Sequence, residues 1–335
     1  MFTPRCRVQA REWRHHPRRG AHTGYSEAVK LWMRIRRGAA AFLPALGVAG
    51  AAVAAQPTTA ITVATWNIAW FGDGVRDGVL RGNQRGGRFL RQEADFERLR
   101  GVVSRLIELD VEVVGLQEVE NAAAVRRIFP EGDWDLFLST RETDPEWSQR
   151  TAIVVRRDGG WRVERHPDVV EWSPQGRDRH GVDLTLTRGE ERVRVLTLHF
   201  QSGCHAKPLR SPEPRCGFLR MQFAVLKGWL FERMAEGTTT VVAGDWNRFL
   251  SRPGDEAAAG LPGEALVLPP PGSAPACWGG FFDHYVDHIV AFAPRGREVA
   301  PTAFEEVLYG APRSARDRLS DHCPLVATLG FEAPY

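Results

Sequence analysis

Apolar runs of strand length recur along residues 61–329, and only two long amphipathic stretches interrupt them. The runs fall at 61–66, 111–116, 134–139, 151–156, 161–166, 182–187, 192–200, 239–243, 288–292 and 325–329. Their length and their Val, Ile, Leu, Phe and Trp content are those of strands buried on at least one face. The long stretches, 93–109 and 218–234, place Phe96, Leu99, Val103, Leu106 and Ile107, and then Leu219, Phe223, Leu226 and Leu230, at helical spacing. A shorter helix is expected at 120–129. Strand clusters broken by helices call for a mixed α/β layered fold. The Pro- and Gly-rich segment 253–275 reads as a surface excursion. The Gly- and Arg-rich segment 72–91 is long for a loop in a compact domain, which points to function or mobility.

The segment ahead of the first strand is not read as part of that fold. Residues 33–55 run from Arg34, Arg36 and Arg37 into an apolar, Ala-rich stretch ending in small residues, the pattern of a secretory signal peptide. Cleavage near residue 55 would leave a secreted or periplasmic protein. Residues 1–32, rich in Arg and His, read as an upstream extension, with Met33 as the start. The expected domain is therefore 56–335.

That division reverses the sign of the charge. The whole chain has 44 Lys and Arg, 41 Asp and Glu, and a formal net charge of +3. Residues 1–55 hold ten of the bases and two of the acids, so 56–335 keeps 34 bases and 39 acids, a net charge of −5. A mean hydropathy of −0.30 and 25% charged residues exclude a polytopic membrane protein. Four cysteines remain after residue 55, an even number in a chain expected to be exported. Cys204 and Cys216 flank a short Pro-rich loop and are the first choice for a disulfide; Cys277 and Cys323 follow by elimination.

Polar clusters sit at or just after the strand ends: Thr65-Trp66-Asn67, Gln117-Glu118, Leu198-His199-Phe200, Gly244-Asp245-Trp246-Asn247, Asp287-His288-Ile289 and Ser320-Asp321-His322. Each alone has an ordinary reading, as a turn former, a helix cap or a core histidine. Together they form an oxygen-rich set at the place where layered α/β enzymes put their sites. Such a set suits a hard divalent cation such as Mg2+, with Mn2+ or Ca2+ as alternatives, and lacks the closely spaced His and Cys that zinc favours. Metal, acid–base groups and a bound phosphate are the requirements of phosphoester hydrolysis.

The ordered set TWN, QEV, TLHF, GDWN, DHI, SDH resembles the endonuclease/exonuclease/phosphatase superfamily, which includes pancreatic-type deoxyribonucleases, apurinic endonucleases, neutral sphingomyelinases and inositol-polyphosphate phosphatases. The resemblance spans Thr65 to Pro324 and implies a four-layer α/β/β/α sandwich, two mixed β-sheets packed face to face and flanked by helices. It implies Asn67, Glu118 and Asp321 as metal ligands, Glu118 the principal one. Asp245 would orient or deprotonate the attacking water, Asn247 would hold the phosphate, and His322 would contact it with Asp287 fixing its ring. His199 matches the deoxyribonuclease and sphingomyelinase branches and is absent from apurinic endonucleases. Which histidine acts as the acid stays open. Gln149 stands where the deoxyribonucleases carry the Glu of a Tyr-x-Glu pair, and the Trp-Cys-Asp-Arg run of the inositol phosphatases is missing.

For substrate, the expectation is nucleic acid ahead of phospholipid, with a small phosphomonoester as a further alternative. Arg76, Arg81, Arg85, Arg88 and Arg91 in segment 72–91, joined by Arg150, Arg156, Arg179, Arg210, Arg215 and Arg248, would supply phosphate contacts. Trp278, Phe281, Phe282 and Tyr285 could form a lipid-contacting edge, stack on bases or pack in the core. A non-catalytic secreted binding module would have lost the metal Glu, the GDxN pair or the final His, and all are intact. No protein partner is implied, and a monomer is expected.

Overall fold

The computed structural model describes residues 59–72, 75–76, 79–80, 91–140, 149–173 and 179–332. The signal-like segment, the extension before it, and Arg81, Arg85 and Arg88 lie outside the described residues; for Arg76 only the backbone is described.

The strands are β1 (Thr59–Phe71), the short pair β2 (Val75–Arg76) and β3 (Val79–Leu80), β4 (Val113–Val119), β5 (Trp134–Leu138), β6 (Arg150–Arg156), β7 (Arg162–Arg165), β8 (Asp183–Arg188), β9 (Glu191–His199), β10 (Thr239–Asp245), β11 (Leu266–Leu268), β12 (Asp287–Phe292), β13 (Glu298–Glu306) and β14 (Leu325–Glu332). Helices are α1 (Glu93–Glu108), α2 (Ala122–Arg126), α3 (Pro214–Ala235), α4 (Glu256–Ala259) and α5 (Arg316–Leu319). Two six-stranded mixed sheets form, β13-β14-β1-β4-β6-β5 and β11-β12-β10-β9-β8-β7. Each has one parallel pair near its centre, β1 with β4 and β9 with β10; the remaining ladders are antiparallel.

The period of two along a strand builds the layers. In β1, Ile61 and Val63 enter a core shared with Val193, Val195, Val241, Ala243, Ile289 and Ala291 of the other sheet. Ala64, Trp66 and Ile68 face the opposite way, onto Phe96, Leu99, Val103 and Leu106 of α1. In the second sheet, Leu196, Leu198, Val242 and Val290 face Leu219, Phe223, Leu226 and Leu230 of α3. Three apolar cores between helix, sheet, sheet and helix make the four-layer sandwich. A polar ladder crosses between the sheets: Thr65 Oγ1 donates to Gln117 Oε1 (3.3 Å) and Gln117 Nε2 to Thr197 Oγ1 (3.1 Å). Close approach is enforced by glycine. A Cβ on Gly115 would lie 2.9 Å from Thr197 Oγ1, and one on Gly244 only 2.2 Å from the Leu198 carbonyl oxygen.

The structure departs from expectation at three elements. The helix expected at 120–129 is confined to Ala122–Arg126, started by Asn121, whose side chain accepts from the Ala124 N–H (2.8 Å). Segment 253–275 is more than an excursion: it contains α4, and β11 adds to the edge of the second sheet. β13 is an edge strand with no buried residue and a register shift after Pro301, so it carries no apolar run to reveal it. Both expected disulfides, Cys204–Cys216 and Cys277–Cys323, are formed.

Candidate active site

The same period of two that fills the inter-sheet core delivers the site. Residues 61, 63, 65 and 67 of β1 share a face, as do 195, 197 and 199 of β9, 241, 243 and 245 of β10, and 287, 289 and 291 of β12. Asn67, His199, Asp245 and Asp287 therefore stand at one end of the layer between the sheets, and all are buried. Asp245 and Asp287 are directly paired across their ladder. Glu118 breaks the rule. Following Gln117, it should face α1. Its φ of 61° and the register shifts on both sides of β4 swing it into the site instead. Left-handed backbone at a non-glycine and a local bulge re-aim a side chain at a cost met by the surrounding structure.

Glu118, Asp245, Asn67 and His199 form one cluster. Asn67 Nδ2 donates to Asp245 Oδ2 (3.1 Å) and Glu118 Oε1 (3.4 Å). His199 Nε2 lies 3.3 Å from Asp245 Oδ2 and 3.7 Å from Glu118 Oε1. Glu118 Oε2 accepts from the Trp70 N–H (3.0 Å) and Asp245 Oδ1 from the Asn247 N–H (2.9 Å). Opposite stands a second unit, in which His322 Nδ1 meets Asp287 Oδ2 at 2.6 Å and Asp321 Oδ1 lies 3.9 Å from His322 Nε2. Ser320 ties the units together, donating to the Asn67 carbonyl (2.7 Å) and accepting from the His322 N–H (3.0 Å). Tyr309 backs both, accepting from Trp66 Nε1 (2.8 Å) and donating to the His322 carbonyl (2.9 Å).

These surroundings drive the two histidines apart. Burial, reinforced by the charges of Arg179 and His322, holds His199 well below the ordinary range, so it is neutral. Burial also opposes charge on His322, but Asp287, Asp321 and Asp245 together outweigh it and raise the group well above that range, making it an imidazolium at neutral pH. Burial raises Glu118, with Arg179 opposing and Asp321 reinforcing. Burial and the Asp287 charge push Asp245 up to about 7. Titrating groups separated this way mark acid and base roles.

The donor set fits a hard divalent cation. Half-buried Glu118 and buried Asp245 offer two carboxylates at one place, both raised first by burial, and buried Asp287 Oδ1 has no hydrogen-bond partner among the described residues. Asp245, Asp287 and His322 also lie within metal-cage distance of one another. His322 Nδ1 is already held by Asp287 Oδ2 at 2.6 Å, which favours the Glu118 side. Asn67, expected as a ligand, turns its Nδ2 to the two carboxylates, while its Oδ1 accepts from the Ala69 N–H (2.9 Å). Cys277, Glu306 and Cys323 also cluster, but the disulfide occupies both sulfurs.

The arginines divide. Arg150 stands opposite Val119, beside Glu118, while Arg156 ends the same strand far from it. Arg179 reaches the site electrostatically and bonds to Gln149. Arg248, expected to bind substrate, is corrected: it is buried, paired with Asp255 (2.7 Å) and donating to the Cys204 carbonyl (2.9 Å). Arg85 lies outside the described residues. Of the aromatics, Trp278 stacks on Tyr309 (5.0 Å) and Tyr285 is buried, whereas Phe281 and Phe282 are 40% and 39% exposed. Arg313 and Arg316 lie 4.7 and 4.1 Å from the Phe281 ring.

Arg91, expected among the phosphate contacts, is instead buried behind the site, donating to the carbonyls of Ile68 (2.6 Å), Ala69 (2.8 Å), Trp70 (3.1 Å) and Leu319 (2.8 Å). It thereby fastens the left-handed Ala69-Trp70 turn, which holds Glu118, to the segment leading into His322. Burial lowers its pKa to about 10, so it stays charged at neutral pH. Arg91→Lys keeps the charge but not the fork. It is expected to cost about 2–4 kcal/mol by urea denaturation, since buried carbonyls lose their donors.

A model of the Endonuclease/Exonuclease/phosphatase family matches residues 64–322. No curated protein matches the chain in sequence. Among solved structures, D. rerio TDP2 complexed with single strand DNA product matches at 18% identity and a TM-score of 0.52, over 81% of this chain and 99% of that one. The human Nocturnin catalytic domain with bound sulfate anion matches at 15% identity and a TM-score of 0.55, over 81% and 94%. ANGEL2, a 2',3'-cyclic phosphatase in complex with adenosine-2',3'-vanadate, matches at 14% identity and a TM-score of 0.54, over 82% and 97%. At these identities the likeness concerns the fold.

Proposed function

Because this chain belongs to the Endonuclease/Exonuclease/phosphatase family of phosphoester-hydrolysing enzymes, we propose that it is an exported, divalent-cation-dependent phosphodiesterase that cleaves nucleic acid. The observation that carries the reading is the apposition of the Asp287–His322 pair to the Glu118–Asp245–His199 cluster. Glu118 and Asp321 would hold the cation, Mg2+ first, with Mn2+ or Ca2+ as alternatives. When bound there, it would neutralise phosphate charge. Asn67 orients the two carboxylates. Asp245, raised toward neutrality, takes the proton of the attacking water. His322 offers its Nε2–H to the phosphate while Asp287 holds the ring through Nδ1. Asn247 holds a phosphate oxygen, and neutral His199 steadies Asp245.

Nucleic acid is favoured by the exposed Phe281 and Phe282 and by Arg313 and Arg316, which lie over the Phe281 ring, all close in sequence to Asp287 and His322. Aromatic rings stack on bases, and guanidinium groups pair with phosphates. The DNA product and the adenosine ligand carried by two structural neighbours have the same chemistry. Export is supported by the signal-like segment 33–55 and the two disulfides. The test presents the purified protein with plasmid DNA, RNA, sphingomyelin vesicles and a phosphomonoester. We expect nucleic acid cleavage that stops in EDTA and returns with Mg2+. Phosphocholine release with DNA and RNA untouched would overturn the nucleic acid reading, and cleavage persisting in EDTA would overturn the cation.

A further inference from the structure

The loop after β9 is fastened in a way that the reaction chemistry leaves unexplained. It leaves His199, is tied by Cys204–Cys216 to the first turn of α3, and turns back against the segment carrying Asp245 and Asn247. Its one buried-side imidazole, His205, faces two backbone groups. Nδ1 lies 3.0 Å from the Asn247 carbonyl oxygen, and Nε2 accepts the Gly203 N–H at 3.3 Å. Only the neutral ring with its proton on Nδ1 serves both. The His205 carbonyl in turn accepts from the Phe249 N–H (3.1 Å), and its ring stacks on Phe249 at 5.7 Å and 22°.

The group so held is Asn247. Its φ is 49°, the left-handed region that a side chain with a Cβ adopts only when its neighbours insist. Its N–H goes to Asp245 Oδ1 (2.9 Å) and its Nδ2 donates to the Phe200 carbonyl (3.0 Å). The His205 contact is the hydrogen bond that fixes its carbonyl and so the plane of the Asn247–Arg248 peptide. The loop itself is braced where it must be rigid. Arg248 donates to the carbonyls on either side of His205, Cys204 (2.9 Å) and Lys207 (2.5 Å), and is anchored by Asp255. The arginine expected to touch substrate is thus part of the brace.

We infer that His205 is a positioning residue for phosphodiester hydrolysis: its Nδ1–H holds the Asn247 turn in its left-handed form, aiming the Asn247 amide at the phosphate and keeping the Asp245 carboxylate oriented through the Asn247 N–H. The inference rests on the proposed function, because it is the phosphate-holding role of Asn247 that gives the clamp its purpose. It also gives Cys204–Cys216 a part in turnover, since that bond fixes the loop on which His205 sits.

Two substitutions separate the donor from the ring. His205→Phe keeps the stack on Phe249 and removes the donor. His205→Asn places an amide N–H near the position of Nδ1 and removes the stack. With bis(p-nitrophenyl) phosphate as substrate, His205→Phe is expected to lower kcat by about 10–100-fold with a smaller change in KM, while His205→Asn stays within about threefold of the parent. Hydrogen exchange at the Asn247 amide gives an activity-independent reading. It quickens in His205→Phe and not in His205→Asn. Retention of kcat in His205→Phe, or equal losses in both variants with unchanged exchange at Asn247, would overturn the inference by assigning His205 to packing. If the parent protein hydrolyses no phosphodiester, the proposed function fails by itself, and the exchange comparison alone decides whether the clamp exists.

Discussion

Replacing His322 with Gln is expected to lower phosphodiester turnover by about 10²–10⁴-fold, the range lost with a positioned acid–base group. The backbone around it stays anchored, because Ser320 Oγ and Tyr309 OH bond its N–H and carbonyl rather than its ring. Burial alone would keep this imidazole neutral; the carboxylates of Asp287, Asp321 and Asp245 make it a cation. The sign of the pH dependence follows. A histidine raised on folding adds stability that is fully present below its unfolded value of about 6.5 and is lost as pH rises through the folded value. The parent is therefore expected to exceed His322→Gln in thermal midpoint most clearly near pH 6, with the difference shrinking at alkaline pH. Asp287→Asn removes the nearest anion, so the alkaline limb of its kcat profile should move toward neutrality. A limb that stays in place would show that Asp287 does not set the state of His322.

Asp245→Asn is expected to abolish turnover to a similar degree and yet to stabilise the fold once metal is stripped away. In EDTA, Asp245 ionises at a cost, because it is buried beside Asp287 and its pKa is pushed up from 3.8 to about 7. The unfolded chain ionises freely from about pH 4. The parent thus loses stability relative to the neutral amide as pH rises from about 4 to about 7, and above that the deficit is constant. The thermal midpoint of Asp245→Asn in EDTA should lie above that of the parent at pH 8, and the two should converge toward pH 4. Equal midpoints at pH 8 would mean that the carboxylate finds compensation the site does not display. A bound cation would narrow the gap by stabilising the ionised parent. Active sites that hold like charges together commonly trade stability for function in this way.

Spacing showed a mixed α/β layered fold with polar clusters at the strand ends, while the four-layer sandwich and the role of each site residue came from the family resemblance. Residues at even separation along apolar strands share a face, which is why Asn67, His199, Asp245 and Asp287 converge at the end of the inter-sheet layer. Glu118 could be named as a candidate, but its direction could not be read. An alternating pattern sends it toward α1, and only a bulge with positive φ turns it inward. The arginines misled for a related reason. Sequence shows charge but not burial, so Arg91 and Arg248, both enclosed and spent on backbone carbonyls, looked like exposed arginines. Glycine 244 was legible as part of a motif, while its cause, the Leu198 carbonyl 2.2 Å from where a Cβ would sit, belongs to the packed sheet. His205 carried no signal beyond its place next to Cys204. Strand β13 was invisible because edge strands need no apolar run.

If the two facing units form one hydrolytic centre, water attacks phosphorus beside Asp245 while His322 meets the phosphate. The most direct measurement is cleavage of a single-stranded DNA oligonucleotide by the full chain with Mg2+ in ¹⁸O-labelled water, followed by mass analysis of the phosphate-bearing end. One ¹⁸O atom is expected on each new terminal phosphate, with no cleavage in EDTA. Unlabelled phosphate with the ¹⁸O on the sugar hydroxyl, or cleavage that persists in EDTA, would contradict this mechanism.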